Sequence, residues 1–367
     1  MKKVLVIGGA TIDTIIAYEN METLEQRSIN QTKRYLLLEE GKKIEVTSQR
    51  SSTGGGATNA AVSFLRQGLS VRLVCKVGRD LMGDQVKSEL VGYGMDVSHI
   101  VKSEQSGTGS SFVVPSLSGD RTVFAYRGAN TELVPADIPD SLLVEADFIY
   151  VTSLSQKSAA VLPILVSRAN ALHSRVAVNP GISQLKRGSS FLKSALSGIH
   201  TLILNYEEAQ QLMLSLVHED NHIREYLEAN KASFDGNKLF DQMVRFQDVH
   251  FNLRQFFKEV LSLGPQVVAV TNGAEGVYVA TPEHLYFQKS LSVNVVNTLG
   301  AGDAFGSAFV GSLFSGNSVE DSMRKGILNS LSVIGYPDAK EGLLTQAQLD
   351  TELSRRVLPE MERVSWG

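Results

Sequence analysis

The stretch NTLGAGDAFGSAF, residues 297–309, constrains this chain more than any other. Gly300 and Gly302 flank Ala301 and leave the backbone bare, so its amides can approach an anion with no Cβ in the way. The apolar continuation predicts a helix entered at Asp303, whose positive end points at the same spot and stabilises a phosphate there. Asp303 then sits at the rim of an anion site. A carboxylate has the wrong charge to bind a phosphoryl group and the right chemistry to take a proton from an attacking hydroxyl. The same residues also suit a capped helix start with Asp303 as N-cap, a reading that contains no chemistry.

Ahead of that stretch, Val4–Ile7 predicts a buried strand followed by Gly8-Gly9. GGATID lacks the Gly-x-Gly-x-x-Gly spacing, and no helical pattern follows at once, which argues against a dinucleotide-binding oxidoreductase. Thr11–Tyr18 continues extended. Tyr35–Leu38 and Lys43–Val46 flank Glu39-Glu40-Gly41 as a hairpin, and Ser110–Val114 and Thr122–Tyr126 flank Ser118-Gly119-Asp120 as another. These pieces predict a small sheet standing off the main body. Gly54-Gly55-Gly56 opens a helix over Ala57–Gln67 that carries Asn59 on its first turn. Phe148–Thr152, Val176–Asn179, Leu202–Leu204 and Val267–Thr271 are short apolar runs with helical patterns between them. The alternation predicts an α/β fold, a doubly wound, mostly parallel sheet covered on both faces.

Ligands of such sheets bind beyond the carboxyl ends of the strands. Asn179, Asn205 and Thr271-Asn272-Gly273 fall there. Asn205 and Glu208, three apart at a strand-to-helix junction, suit a capping box and equally a pair of oxygen donors that organise magnesium through water.

Two long signatures resemble those of the ribokinase-like carbohydrate kinases, the PfkB family. NTLGAGDAF resembles the C-terminal signature, and TGGGATNAAVSFLRQGLSVRLVCKVGRDLMGD, residues 53–84, the N-terminal one. The resemblance runs from about Lys3 to about Gly342, apart from a segment near 218–250. It implies one kinase domain over 1–367, with lid segments at about 11–50 and 108–127 and a family-atypical insertion at about 218–250. The implied reaction is transfer of the γ-phosphoryl group of ATP to a hydroxyl of a small sugar. Asp303 is then the general base, and the amides of Gly300, Ala301 and Gly302 form the anion hole. Asn205 and Glu208 place Mg2+ through water; Thr271, Gly273 and Gly276 lie along the ATP phosphates and ribose; Asn329 lines the adenine pocket. Asp13, Gly55, Gly56 and Asn59 hold the acceptor.

Two departures matter. Ribokinases proper tend to carry lysine where this chain has Gly56, which points away from ribose itself. Asn297 stands where cation-activated members carry aspartate, so potassium is expected to act weakly at most. A nucleoside kinase for adenosine or inosine would share the catalytic end. A sugar-phosphate kinase would need cations at the acceptor, from Lys76, Arg79 or Arg127. A non-catalytic ligand-binding regulator is the alternative from another class. The lid strands lack the bulk to form a core alone, so they are expected to close over the acceptor or to pair with a second copy as a homodimer.

Composition excludes other classes. A net charge of −4 favours neither nucleic acid nor a membrane surface as partner. The one cysteine, Cys75, lies in an apolar run and reads as a core residue. MKKVLVIGG leads into glycine and polar residues without a cleavage pattern, and no apolar run reaches the length of a membrane span. A cytoplasmic protein is expected. Residues 218–250 are polar and charged, predicting a helical excursion or a flap, with His218, His222 and His250 as solvated surface histidines.

Overall fold

A computed structural model describes residues 1–17, 22–28, 31–115, 121–229 and 238–366. The apolar runs rich in β-branched residues assemble into a nine-stranded sheet. Its parallel part runs Ser70–Val74, Lys3–Ile7, Phe148–Val151, Arg175–Val178, Thr201–Asn205, Val267–Thr271. Val277–Ala280, His284–Gln288 and Glu362–Ser365 extend it antiparallel. Strand side chains alternate between two apolar layers, as the period of two requires. Leu5, Ile7, Ile149 and Val151 enter one; Val4, Val6, Phe148 and Tyr150 enter the other. That second layer is built against the helices Gly56–Arg66, Ala301–Phe314 and Val319–Val333. Cys75 is buried in it, and burial pushes its thiol up to about 12. Among the described residues no helix is long and apolar enough to cross a membrane.

A smaller sheet joins Arg121–Tyr126, Gly109–Pro115, Thr11–Ala17 and Ser48–Gly54 in that order. Thr11–Ala17 is its central seam, parallel to Gly109–Pro115 and antiparallel to Ser48–Gly54. Ser118-Gly119-Asp120 lies outside the described residues, while the strands on either side pair antiparallel from Arg121↔Pro115 to Tyr126↔Ser110. The hairpin expected around Glu39-Glu40-Gly41 does not form. Glu22–Ser28 pairs with Gln31–Leu37 instead, and residues 38–47 contain no strand. Apolar alternation is a poor guide there, because this hairpin carries charge across its strands: Glu25 meets both Arg27 and Arg34.

The described residues of the polar segment at 218–250 are helical in part, as expected, and pack on the main core. Helix Tyr206–Glu219 is followed by helix Asn221–Ala229 and by the hairpin Val244–Phe246 with Val249–Phe251. Ile223 and Leu227, four apart on one helical face, are buried in the same core as Val268 and Phe257, with Phe240, Val244 and Val249 beside them. His218 Nε2 lies 3.1 Å from Asp248 Oδ1 and ties helix to hairpin. The segment reads as polar because only one narrow stripe faces inward. Leu227→Ala is therefore expected to destabilise the protein by about 2–5 kcal/mol, the range for truncating a buried leucine. Denaturant unfolding checks this; a loss within experimental error would restore the flap reading.

Candidate active site

The helix of the glycine-rich stretch starts earlier than the sequence suggests. It spans Ala301–Phe314, with Gly300 as N-cap at φ 78°. Asp303 is thus the third residue of the helix, not its cap, and it makes no capping hydrogen bond. Gly300 is demanded twice, by its left-handed backbone and by Ala339, whose Cβ would lie 2.4 Å from a Cβ at this position. A Cβ on Gly302 would meet open space, so the amides of the first turn face a cleft.

Asp303 is instead held from across the chain. Asn59 Nδ2 donates to Asp303 Oδ2 at 2.8 Å. Asn59 is 4% exposed, and its own Oδ1 is buried with no protein partner. Asp303 Oδ1 has no protein donor among the described residues and faces Gly56, where a Cβ would stand 3.1 Å away. A side chain at 56 would crowd the carboxylate. Burial pushes the Asp303 carboxyl above the usual range; the Asn59 hydrogen bond and the Lys340 charge oppose this, and the Asp13 charge adds to it.

Asp13 comes from the small sheet and is buried. Ser111 Oγ donates to its Oδ1 at 2.6 Å. A Cβ on Gly54 would overlap Asp13 Oδ2, and Gly55, at φ 95°, packs its Cα against Gly9 and Ala10 backbone. The triple glycine is thus a close-packed turn rather than a linker. It brings Asp13, Asn59 and Asp303 together.

On the other side of Gly302 lies a cleft of about 400 Å³. Thr271, Gly273 and Gly276 line it with Ala301, Phe305 and Ser330, in the size range of a small-molecule site. The glycine-rich turn therefore stands between the Asp13, Asn59 and Asp303 group and a mostly apolar cleft. The model of the pfkB family carbohydrate kinases matches residues 1–345. The chain belongs to this family. It is an ATP-dependent carbohydrate kinase, a phosphotransferase. It is 24% identical to a ribokinase of Staphylococcus aureus over 328 residues, 89% of this chain and 90% of that one. Its fold is similar to a nucleoside kinase of Methanocaldococcus jannaschii, with a TM-score of 0.74 at 16% identity, covering 97% and 99% of the two chains. It is also similar to an Arabidopsis thaliana ribokinase complexed with ribose and ATP, with a TM-score of 0.72 at 17% identity, covering 97% and 99%.

Other residues the kinase resemblance singles out fall differently. Asn329 does not line the cleft. It is fully buried, donates to Ala304 O at 2.8 Å and to Ser63 Oγ at 3.2 Å, and accepts from Leu344 N at 2.9 Å. Its neighbours Leu331 and Ser330 reach the cleft instead, because Asn329 sits on the inward face of helix Val319–Val333. Asn205 and Glu208 do form the reciprocal capping box, at 2.8 Å each way. That box uses Glu208 Oε2 and leaves Oε1 without a protein partner among the described residues. Burial pushes the Glu208 carboxyl up to about 7, opposed by the Asn205 amide and aided by the charges of Asp303 and Glu207. Among the described residues no group of three His, Cys, Asp or Glu side chains converges as a metal cage. One free carboxylate oxygen fits a magnesium ion that keeps most of its waters and phosphate ligands. Asn179 gives its amide to Ile203 O at 3.0 Å and serves the sheet edge.

Two of the three cations considered for a phosphorylated acceptor are engaged elsewhere. Lys76 Nζ is 3.0 Å from Asp137 and also donates to Glu132 O at 3.1 Å, and Arg79 pairs with Glu104. Arg127 is exposed. Lys340 is 2% exposed, in the loop Ala339–Gly342 that the family resemblance ties to a monovalent cation without singling out the lysine.

Gly300→Ala should lower stability by about 1–3 kcal/mol, the scale of a forced left-handed residue, and weaken ATP binding along with it. Thermal unfolding and nucleotide titration check this; unchanged ATP affinity would detach Gly300 from the anion site.

Proposed function

We propose that this kinase transfers the γ-phosphoryl group of ATP to a hydroxyl of a free small sugar, with Asp303 as general base. The observation that carries the reading is the Asp303 carboxylate, fixed through Oδ2 by Asn59, with Oδ1 beside Gly56 and without a protein donor among the described residues. The acceptor lies against Asp13 and Asn59, with the orphan Asn59 Oδ1 taking a hydroxyl hydrogen. The acceptor oxygen attacks the γ-phosphorus, the bond to the β-phosphate oxygen breaks, ADP leaves, and the hydroxyl proton passes to Asp303. The amides of Gly300, Ala301 and Gly302 stabilise charge on the moving group. Magnesium arriving with ATP would be held by Glu208 and Asn205 through water, and supplies neutralisation of phosphate charge.

A free sugar is favoured over a sugar phosphate because Lys76 and Arg79 are already paired. The small sheet acts as a lid, its inner face carrying Asp13. Phe112, Phe124 and Tyr126 project from the opposite face by strand alternation and are exposed, which suits pairing with a second copy. Asn297 donates to Pro337 O at 2.8 Å, so a neutral hydrogen bond stands where a carboxylate would attract a cation.

The decisive test is an ATP-consumption screen over sugars, with sugar phosphates and nucleosides as comparison acceptors, run on the wild type and on Asp303→Asn. The variant should fold, bind ATP nearly normally and lose about 10²–10⁴ of kcat. In the wild type, activity should fall with decreasing pH through a value above about 4, because the base works ionised and burial raises its proton affinity. Near-normal turnover by a folded Asp303→Asn removes Asp303 from the mechanism. Potassium titrated into a sodium-free assay should change kcat by no more than a small factor; strong activation would mean that other oxygens bind it.

A further inference from the structure

Lys340 has no part in the step proposed above, and its surroundings give it one. Its loop follows helix Val319–Val333 and is tied on several sides. Asp338 Oδ1 accepts from Lys340 N at 2.9 Å and from Glu341 N at 2.8 Å. Arg50, on the lid strand Ser48–Gly54, reaches Asp338 at 3.0 Å and Glu341 at 3.3 Å. Ala339 backs Gly300 of the anion-binding turn. The Lys340 ammonium donates to the carbonyl of Thr53, at the root of the lid strand.

That one hydrogen bond does not account for the burial. An ammonium has three donors, and only one is taken by a protein group among the described residues. A buried ammonium is costly unless charge compensates it. The carboxylates that face it come from four elements: Glu89 on helix Leu81–Gly92, Asp13 on strand Thr11–Ala17, Asp338 on its own loop, and Asp303 on helix Ala301–Phe314. Burial pulls the ammonium down to about 8, and these four charges hold it up. Glu89 also accepts from Thr53 N at 3.1 Å, so acid and lysine grip the same residue. Arg50, the other cation of this region, is half-exposed and turned to Asp338 and Glu341.

We infer that Lys340 is the fixed counter-charge of the catalytic pocket, a positioning residue whose buried ammonium lets Asp13 and Asp303 carry their negative charges side by side. The two carboxylates flank the Gly54–Gly56 turn, one against Gly54 and the other against Gly56. Like charges at that range disfavour each other, and one of the pair takes up a proton when nothing balances them. Asp303, already pushed up by burial, is the one that does so. A protonated Asp303 cannot receive the acceptor's proton. The inference rests on the kinase reading for its consequence, but the charge state of Asp303 is measurable without turnover.

The experiment is an infrared titration of protein labelled with 13C-aspartate, free of substrate, on wild type, Lys340→Gln, Lys340→Met and Lys340→Arg. Glutamine keeps a donor for Thr53 and loses the charge; methionine keeps volume alone; arginine keeps the charge. The protonated aspartate carboxyl band should persist in Lys340→Gln and Lys340→Met to a pH higher than in wild type by about one unit or more. It should vanish when Asp303→Asn is added, and it should return toward the wild-type pH in Lys340→Arg. With a sugar that turns over, kcat near neutral pH should fall about tenfold in the uncharged variants and recover as pH rises, with KM for ATP unchanged. A folded Lys340→Gln or Lys340→Met whose band titrates as in wild type overturns the inference, whatever its turnover. A wild type that phosphorylates no sugar sinks the function proposed above and leaves the infrared result to decide the role of Lys340.

Discussion

One hydrogen bond, from Asn59 to Asp303, joins the N-terminal and C-terminal signatures. Its geometry depends on how closely their helices pack. Ser307 Oγ donates to Ser63 Oγ at 2.7 Å one turn deeper, and Asn329 reaches both helices from a third. The approach is possible because Gly306 and Gly311 carry no side chains; a Cβ there would run into Tyr150 and Gln67. Small residues and buried hydroxyls, rather than bulk, set the spacing, and the carboxylate inherits its position from that spacing.

The parallel sheet was legible because each of its central strands is buried on both faces and so reads as an uninterrupted apolar run. The glycine turns of the candidate site stood out for a related reason: those at 55 and 300 carry positive φ and sit where a Cβ would meet neighbouring chain. What stayed hidden lacked either signal. The hairpin Glu22–Leu37 is held by pairing and charge rather than alternation. The helix was expected to begin at Asp303 and begins at Ala301, because the left-handed φ of Gly300 that caps it is not visible in the sequence. Asn329 matched a family position, but which face of a helix a residue takes depends on packing partners far away in sequence. Lys340 was not singled out in the loop Ala339–Gly342, because nothing local in the sequence shows that its ammonium is buried.

The site's electrostatics are those of a crowded pocket. Asp303 and Glu208 bear on each other, and burial makes both more reluctant to ionise. Polar groups left without partners, at Asn59 Oδ1 and Thr152 Oγ1, border the same space. Such groups are unfavourable in an empty pocket and favourable around a hydroxyl-rich ligand, so they add to selectivity against apolar guests.

Strand Ser48–Gly54 runs into helix Gly56–Arg66 with only Gly55 between them. Seven residues of strand extend roughly 23 Å at about 3.3 Å each, so a rotation of about 10° at that one joint would carry the far end roughly 4 Å. The short arm of this lever is the helix that presents Asn59 to Asp303. Under the proposed function, covering the acceptor and aligning the base would be one mechanical event read at two radii, and a sugar too bulky to let the long arm swing would find the short arm out of true as well.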